Sequence, residues 1–296
     1  MIRASSDVLV SIVIPVHNRP RLVVETIESC LDQTFEPIEI IVVDDGSTDE
    51  TPSVLQRYRA HANVVTTPNA GLSAARNRGM ARASGDYVQF LDSDDVLVPG
   101  SIEERVQLFG LFPWADVVHG RALVPHSPQL PDRTRLPRAA RDVSRFGRVS
   151  PDTLWGSELG IPFTNIVPVL YRTAVVTAAG GFDESLRVHE NLELHFRLYL
   201  SGATFLTYNG IAGMYRPGHE RVRLSDDERW DHPDLFDAIA VMVDDFMSAR
   251  CTDDPVESLL QLALAKAQAT CVARDATELS SRYAALAAGL GRSSVT

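Results

Sequence analysis

Strand-like and helix-like segments alternate from residue 8 to residue 111, and this alternation constrains the fold more than any other property of the chain. Residues 8–16 are short, β-branched and stopped by Pro15, which reads as a buried strand. Residues 20–33 read as a helix, with Pro20 in the first turn and Leu22, Ile27 and Leu31 able to share a face. Residues 38–43 form a second apolar run. It ends in Asp44-Asp45-Gly46-Ser47-Thr48-Asp49, which is turn chemistry, and a helix starts near Thr51-Pro52. A short strand is expected at 62–66, a helix carrying Arg76, Asn77 and Arg78, a strand at 87–91, a helix at 99–111 and a strand at 115–123. Such alternation predicts an α/β fold around a parallel sheet. Ligands of parallel sheets bind outside the carboxyl ends of the strands. Pro15-Val16-His17-Asn18, Asp44-Asp45 and Asp92-Ser93-Asp94-Asp95 all lie at such ends and should meet in one crevice.

The last of these is the most demanding. The run Tyr87-Val88-Gln89-Phe90-Leu91 leads straight into three carboxylates, and like charges this close raise one another's pKa. A divalent cation with oxygen ligands would relieve the repulsion. A solvated turn, or a cap on the next helix, would also relieve it.

Beyond residue 124 the pattern loosens. Residues 124–152 carry Pro125, Pro128, Pro131 and Pro137 with Arg133, Arg135, Arg138, Arg141, Arg145 and Arg148. That composition suits a surface loop, or a flap folding over an anionic ligand. A strand is expected at 166–171, a short helix at 173–179, a turn at Gly180-Gly181-Phe182-Asp183, a helix at 190–200 and two short strands at 203–208 and 211–215. Residues 233–249 place Leu235, Phe236, Ile239, Met242, Val243 and Phe246 on one helical face, and 255–274 and 277–288 are also helical.

A net charge of -11 argues against nucleic acid or an anionic membrane as the main partner. No run approaches the ~20 apolar residues of a membrane-spanning helix. No secretory signal is expected, because Val8–Ile14 lacks a small-residue cleavage site. Cys30, Cys251 and Cys271 are widely spaced and read as structural thiols in a reducing compartment. The expectation is a cytoplasmic protein, with association to the inner face of the membrane left open. Lys266 is the one lysine beside many arginines, which hints at a GC-rich, bacterial source.

Four segments carry a family resemblance: Val13-Ile14-Pro15-Val16-His17-Asn18, Ile41-Val42-Val43-Asp44-Asp45-Gly46-Ser47-Thr48-Asp49, Asn69-Ala70-Gly71-Leu72-Ser73-Ala74-Ala75-Arg76-Asn77 and Phe90-Leu91-Asp92-Ser93-Asp94-Asp95. In this order and spacing the chain resembles the inverting glycosyltransferases of family 2. The likeness resumes from Gly180-Gly181-Phe182-Asp183-Glu184 to Arg197, and at Tyr215-Arg216-Pro217-Gly218-His219. The resemblance implies a GT-A fold, Rossmann-like, with a mostly parallel central sheet flanked by helices. The catalytic domain would span 1–224, with a nucleotide-binding half at about 8–112 and an acceptor half at about 113–224. A helical region would occupy 225–296.

The resemblance also implies roles. Asp44 would accept a hydrogen bond from the base of the nucleotide, uracil N3–H. Pro15, Val16, His17 and Asn18 would hold base and ribose. Asp45, Arg76, Asp92 and Ser93 would line the donor site, Arg76 near the base or a phosphate. Asp92 and Asp94 form the Asp-x-Asp motif. Asp94 would bind Mn²⁺ or Mg²⁺, Asp92 would approach the ribose or a metal-bound water, His219 would reach the metal or the diphosphate, and the ion would offset charge on the departing diphosphate. The donor would be a nucleotide-diphospho-sugar, a UDP-sugar. The acceptor (glycan, lipid-linked sugar or small natural product) and the oligomeric state stay open.

Two positions depart from the family pattern. Arg19 stands where an acidic residue is common. In His189-Glu190-Asn191, Asn191 takes the place of the Asp that serves as general base, and an amide is not a competent base. Glu190 is the neighbouring candidate. Two readings follow: a metal-assisted inverting glycosyltransferase, or a nucleotide-sugar-binding protein impaired in catalysis, whether Asn191 is natural or introduced.

Overall fold

The computed structural model describes residues 8–124, 147–148, 166–216, 233–248 and 276–290, with part of 260–272. These residues fall into two compact units. One takes residues up to 148, 166–184 and 203–216; the other takes 185–202 and the helices from 233 onward. The division expected at 224 lies outside the described residues, as do most of 124–152, Cys251, Lys266 and His219.

The first unit runs β1 (Val10–Val16), α1 (Leu22–Leu31), β2 (Ile38–Asp45), α2 (Thr51–Leu55), β3 (Asn63–Thr67), α3 (Leu72–Met80), β4 (Tyr87–Phe90), β5 (Val96–Leu97), α4 (Ser101–Leu111), β6 (Val117–Leu123), β7 (Gly147–Arg148), β8 (Val169–Arg172), α5 (Thr173–Ala178) and β9 (Phe205–Met214). One sheet joins the strands in the order β3-β2-β1-β4-β8-β6-β9-β5, with β7 also on β9. From β3 to β4 every pairing is parallel, with Val16 opposite Asp44 and Val13 opposite Phe90. These strands end on the same side, so their carboxyl ends and the loops after them lie together.

Side-chain alternation along β1 sorts the layers. Val10, Ile12, Ile14 and Val16 join Val23, Ile27 and Cys30 of α1 and Ile102, Val106 and Phe109 of α4 in one apolar core. Val13 faces the other way, against α3. There a Cβ on Gly79 would come within 2.3 Å of Val13 Cγ1 and 3.2 Å of Val43 Cγ2, so α3 lies directly on β1 and β2. Burial pushes the Cys30 thiol up to about 12, which fits a packing role.

Three details differ from the sequence reading. The sheet is not parallel throughout: β8 pairs antiparallel with both β4 and β6, and β5 antiparallel with β9, while β6 and β9 are parallel. The two strands expected at 203–208 and 211–215 are one strand, β9. Gly210, between the two ranges, makes room for the Tyr208 ring, whose Cε2 would lie 2.2 Å from a Cβ there. The two-residue β5 was too short to show a period.

Behind β4 the interior is polar. Gln89 Nε2 donates to the carbonyls of Phe90 (2.6 Å) and Val167 (3.1 Å), and its Oε1 accepts from Arg105 Nη1 at 2.5 Å. Arg105 is fully buried, and Arg105 Nε donates to the Ser101 carbonyl at 3.0 Å. Gln89 thus gives β4 hydrogen bonds that β8, paired only at Tyr87 and Val88, does not supply.

In the second unit, α6 (Glu190–Leu200), α7 (Pro233–Ser248) and α8 (Thr277–Leu290) are helices. Phe236, Ile239, Met242, Val243 and Phe246 of α7 are buried, as the helical periodicity predicts. Phe236 meets Tyr283 of α8 edge-on with ring centroids 4.9 Å apart, and the Arg282 guanidinium carbon lies 3.9 Å from the Phe236 ring centroid.

Candidate active site

The ends of β1, β2 and β4 are tied together by side chains. After β1, Asn18 adopts φ 52°, a left-handed conformation that Asn tolerates better than most residues. Asn18 Oδ1 accepts from Thr48 N at 2.8 Å, and Asn18 N donates to Ser47 Oγ at 2.9 Å. His17 lies beside it. With its proton on Nδ1 the ring donates to the Asp45 carbonyl at 2.9 Å and accepts at Nε2 from Asn18 Nδ2 at 3.1 Å. Pro15 and Val16 lie inside the sheet, opposite Val43 and Asp44.

Asp44 and Asp45 are adjacent and do different work. Asp44 is fully buried; Oδ1 accepts from Ser47 N at 3.0 Å, while Oδ2 is a buried acceptor without a hydrogen-bond donor. Such an atom calls for a partner. Asp45 is fully engaged: Oδ1 accepts from Ala70 N at 3.0 Å and Arg78 Nη1 at 3.2 Å, and Oδ2 accepts from Gly71 N at 2.8 Å. It therefore fastens the loop that starts α3, where a negative charge at a helix N-terminus is favourable. Gly46, at φ 69°, lets that loop approach, since a Cβ there would lie 2.6 Å from Asn69 N.

The three acids after β4 have distinct partners. Asp92, partly exposed, accepts from Arg76 Nη2 at 2.5 Å. Asp94, whose side chain is 9% exposed, accepts from Arg19 Nη1 at 2.7 Å. Asp95 is buried and accepts from Arg216 N at 2.9 Å, while Arg216 Nη2 reaches Glu25 at 2.5 Å. Ser93 is buried between them. The mutual repulsion read from the sequence is thus answered by two guanidinium groups and a backbone N–H.

Arg76 itself is only 1% exposed. Its guanidinium carbon lies 5.0 Å from the Phe182 ring centroid. Phe182 is held by Asn77, whose Oδ1 accepts from Phe182 N at 2.8 Å and whose Nδ2 donates to Phe182 O at 2.9 Å and Glu184 at 2.9 Å. Gly181, at φ 78°, allows this: a Cβ would lie 2.5 Å from Asn77 Oδ1. Asn77 and Phe182 were part of the recognised pattern but were not read as site residues. Neither bears a charge, and their link joins residues far apart in the chain.

The donor set for a metal is chemically suitable. Asp92 and Asp94 offer hard carboxylate oxygens, and Mg²⁺ is commonly held by one or two carboxylates plus substrate phosphates. Among the described residues no group of three or more His, Cys, Asp or Glu side chains could hold an ion alone. The acids therefore fit an ion that also takes oxygens from a diphosphate.

Glu190 and Asn191 open α6 in the second unit, after His189 at φ 61°. Glu190 is buried and Asn191 half-buried. A non-glycine residue held in the left-handed region is costly and gathers at functional positions. Further along α6, Glu193 and Arg197 form a two-pronged ion pair at 2.5 and 2.8 Å.

Residues 11–146 match the family model described as glycosyl transferase family 2. Over that stretch the chain is similar to the family 2 glycosyltransferases. An uncharacterised glycosyltransferase of Rickettsia prowazekii is 32% identical over 198 residues, or 64% of this chain and 58% of its own length. The chain therefore spans less than two thirds of that relative. Among solved structures, residues 1–349 of TarS of S. aureus in complex with UDP superimpose with a TM-score of 0.64 at 20% identity, over 86% of this chain and 70% of that TarS fragment. The mannosyltransferase PcManGT of Pyrobaculum calidifontis, in complex with GDP-Man and Mn²⁺, gives 0.59 at 17% identity, over 96% of this chain and 84% of its own. The fold is GT-A, a mixed α/β sheet with flanking helices. No described helix is long and apolar enough to cross a membrane.

Proposed function

We propose that the chain transfers a sugar from a UDP-sugar to an acceptor hydroxyl with inversion, assisted by a divalent ion. The observation that carries this reading is the joining of a buried, half-satisfied Asp44 carboxylate to an arginine-backed Asp-x-Asp turn at the ends of neighbouring parallel strands. Asp44 Oδ2 would accept uracil N3–H. The exposed His17, Asn18 and Asn69 would frame the base and ribose. Arg76 would hold Asp92 in place, and Asp92 and Asp94 would bind the ion that arrives with the diphosphate. When bound, that ion offsets the negative charge gathering on the leaving group. The binding of UDP by a structural neighbour supports the choice of base.

A second reading rests on Asn191. If no other carboxylate serves, the same site binds donor without efficient transfer, because an amide cannot accept the acceptor's proton. Donor binding and hydrolysis across UDP- and GDP-sugars, with and without Mn²⁺, test both readings. The first expects Mn²⁺-dependent UDP-sugar turnover. Tight, Mn²⁺-dependent binding without turnover supports the second, and indifference to all nucleotide sugars would overturn both.

A further inference from the structure

The Arg19–Asp94 pair has a geometry unlike an ordinary surface ion pair. Asp94 is nearly enclosed, with 9% of its side chain exposed, whereas the Arg19 side chain is 34% exposed. The base of Arg19 is fixed, because its backbone N–H donates to Thr51 Oγ1 at 3.0 Å. Its guanidinium, by contrast, ends a long, rotatable stem, and the side chain is 34% exposed. A cation thus already rests 2.7 Å from a carboxylate oxygen assigned to the metal.

We propose that Arg19 is an internal counter-ion for Asp94. It holds this carboxylate while the donor site is empty and gives it up when a divalent ion arrives with the diphosphate. The inference rests on the proposed metal role of Asp94. Two positive charges cannot share one carboxylate cheaply in a partly enclosed site. An ion arriving alone must therefore displace the guanidinium and leave it with no anionic partner gained in return. An ion arriving with a diphosphate brings new anionic oxygens, onto which the arginine fork can turn. Arg19 is thus a positioning residue that links metal entry to donor entry, so that the protein takes up the ion with its substrate rather than before it.

The test is Mn²⁺ binding by the full chain, followed by electron paramagnetic resonance of the free ion, with and without UDP. Without UDP, Arg19→Met should bind Mn²⁺ at least about fivefold more tightly than the wild type. Arg19→Lys should restore weak binding, because a lysine keeps the charge. The advantage of Arg19→Met should shrink as salt rises, since the removed repulsion is electrostatic. With UDP present the advantage should narrow or reverse, because the missing guanidinium is then a lost diphosphate contact. Asp94→Asn should bind Mn²⁺ poorly in both conditions. Circular dichroism and melting of each variant establish that the fold is intact.

Equal Mn²⁺ affinity of Arg19→Met and wild type without UDP, while Asp94→Asn still abolishes binding with UDP, would overturn the role of Arg19 and leave the metal site standing. An advantage of the same size with UDP would overturn the handover. If no variant takes up Mn²⁺ even with UDP, the metal assignment fails and the proposal falls with it.

Discussion

Arg76 donates to Asp92 across 2.5 Å from a position that is 1% exposed. The charge that steadies the acidic turn is therefore built into the interior and not borrowed from solvent. Its support comes from the Phe182 ring, which the Asn77 amide clamps through both backbone polar groups of Phe182.

Asn77→Ala should cost about 2 kcal/mol of stability, since it leaves the Phe182 N–H and C=O without their partner. Asn77→Asp should be no better. The carboxylate keeps the acceptor for Phe182 N but loses the donor to Phe182 O and faces Glu184. Both variants should also weaken UDP binding by loosening Arg76. Urea denaturation and calorimetry measure the two effects; unchanged stability in Asn77→Asp would remove the clamp from this account.

Asp45→Ala should behave as a folding variant rather than a binding variant. It removes acceptors for Ala70 N, Gly71 N and Arg78 at the start of α3. A loss of about 2 kcal/mol is expected, in the range of a lost helix cap with an added ion pair. Denaturant titration checks this. Full stability with UDP affinity abolished would instead make Asp45 a ligand contact.

Asp94→Asn should abolish Mn²⁺-dependent UDP affinity while changing stability by no more than about 1 kcal/mol. Its partner Arg19 is a third exposed, so solvent screens much of the pair's attraction although Asp94 itself is nearly enclosed. Removal of this acid should not stabilise the empty protein, because arginines already neutralise the turn. Calorimetry with UDP and Mn²⁺ reads the affinity, and a melt reads the stability.

Asn191→Asp should raise transfer to a hydroxyl acceptor by at least ~10²-fold with little change in donor affinity, as expected when a general base is restored. Glu190→Gln is the companion variant. A flat response to Asn191→Asp beside a dead Glu190→Gln would move the base to Glu190.

Removal of residues from about 225 onward should give an aggregating product. Ile239, Met242 and Phe246 are buried on α7, and Phe236 packs against Tyr283. The truncation deletes these residues and bares whatever they cover, since exposed apolar patches associate. Light scattering of the truncated protein decides; a soluble, monomeric, active product would show the helices to be dispensable.

Much of the fold was legible because β-branched runs stopped by polar turns carry their own boundaries. Residues 38–43, for example, read as a strand and form most of β2. The antiparallel joining of β8 was hidden, because a period of two says which face a residue takes but not the direction of its neighbour. Asp44 and Asp94 were legible as charges at strand ends. The long-range contacts of the site were not: Arg19 lies 75 residues from Asp94, and Asn77 lies 105 from Phe182. Hydrogen bonds of that kind are products of the folded chain and leave no local spacing.

The change of strand direction at β4 and β8 has an evolutionary consequence. All ladder partners of β3, β2 and β1 come from residues 10–90, and the seam to the rest of the sheet is two register positions, Tyr87 with Arg172 and Val88 with Tyr171. A lineage can therefore rebuild the chain beyond the acidic turn extensively, provided that it keeps those two pairings, the Gln89 bracket behind them and the Phe182 contact with Arg76 and Asn77. The residues up to Asp95 can then act as an inherited cassette to which new second halves are fitted.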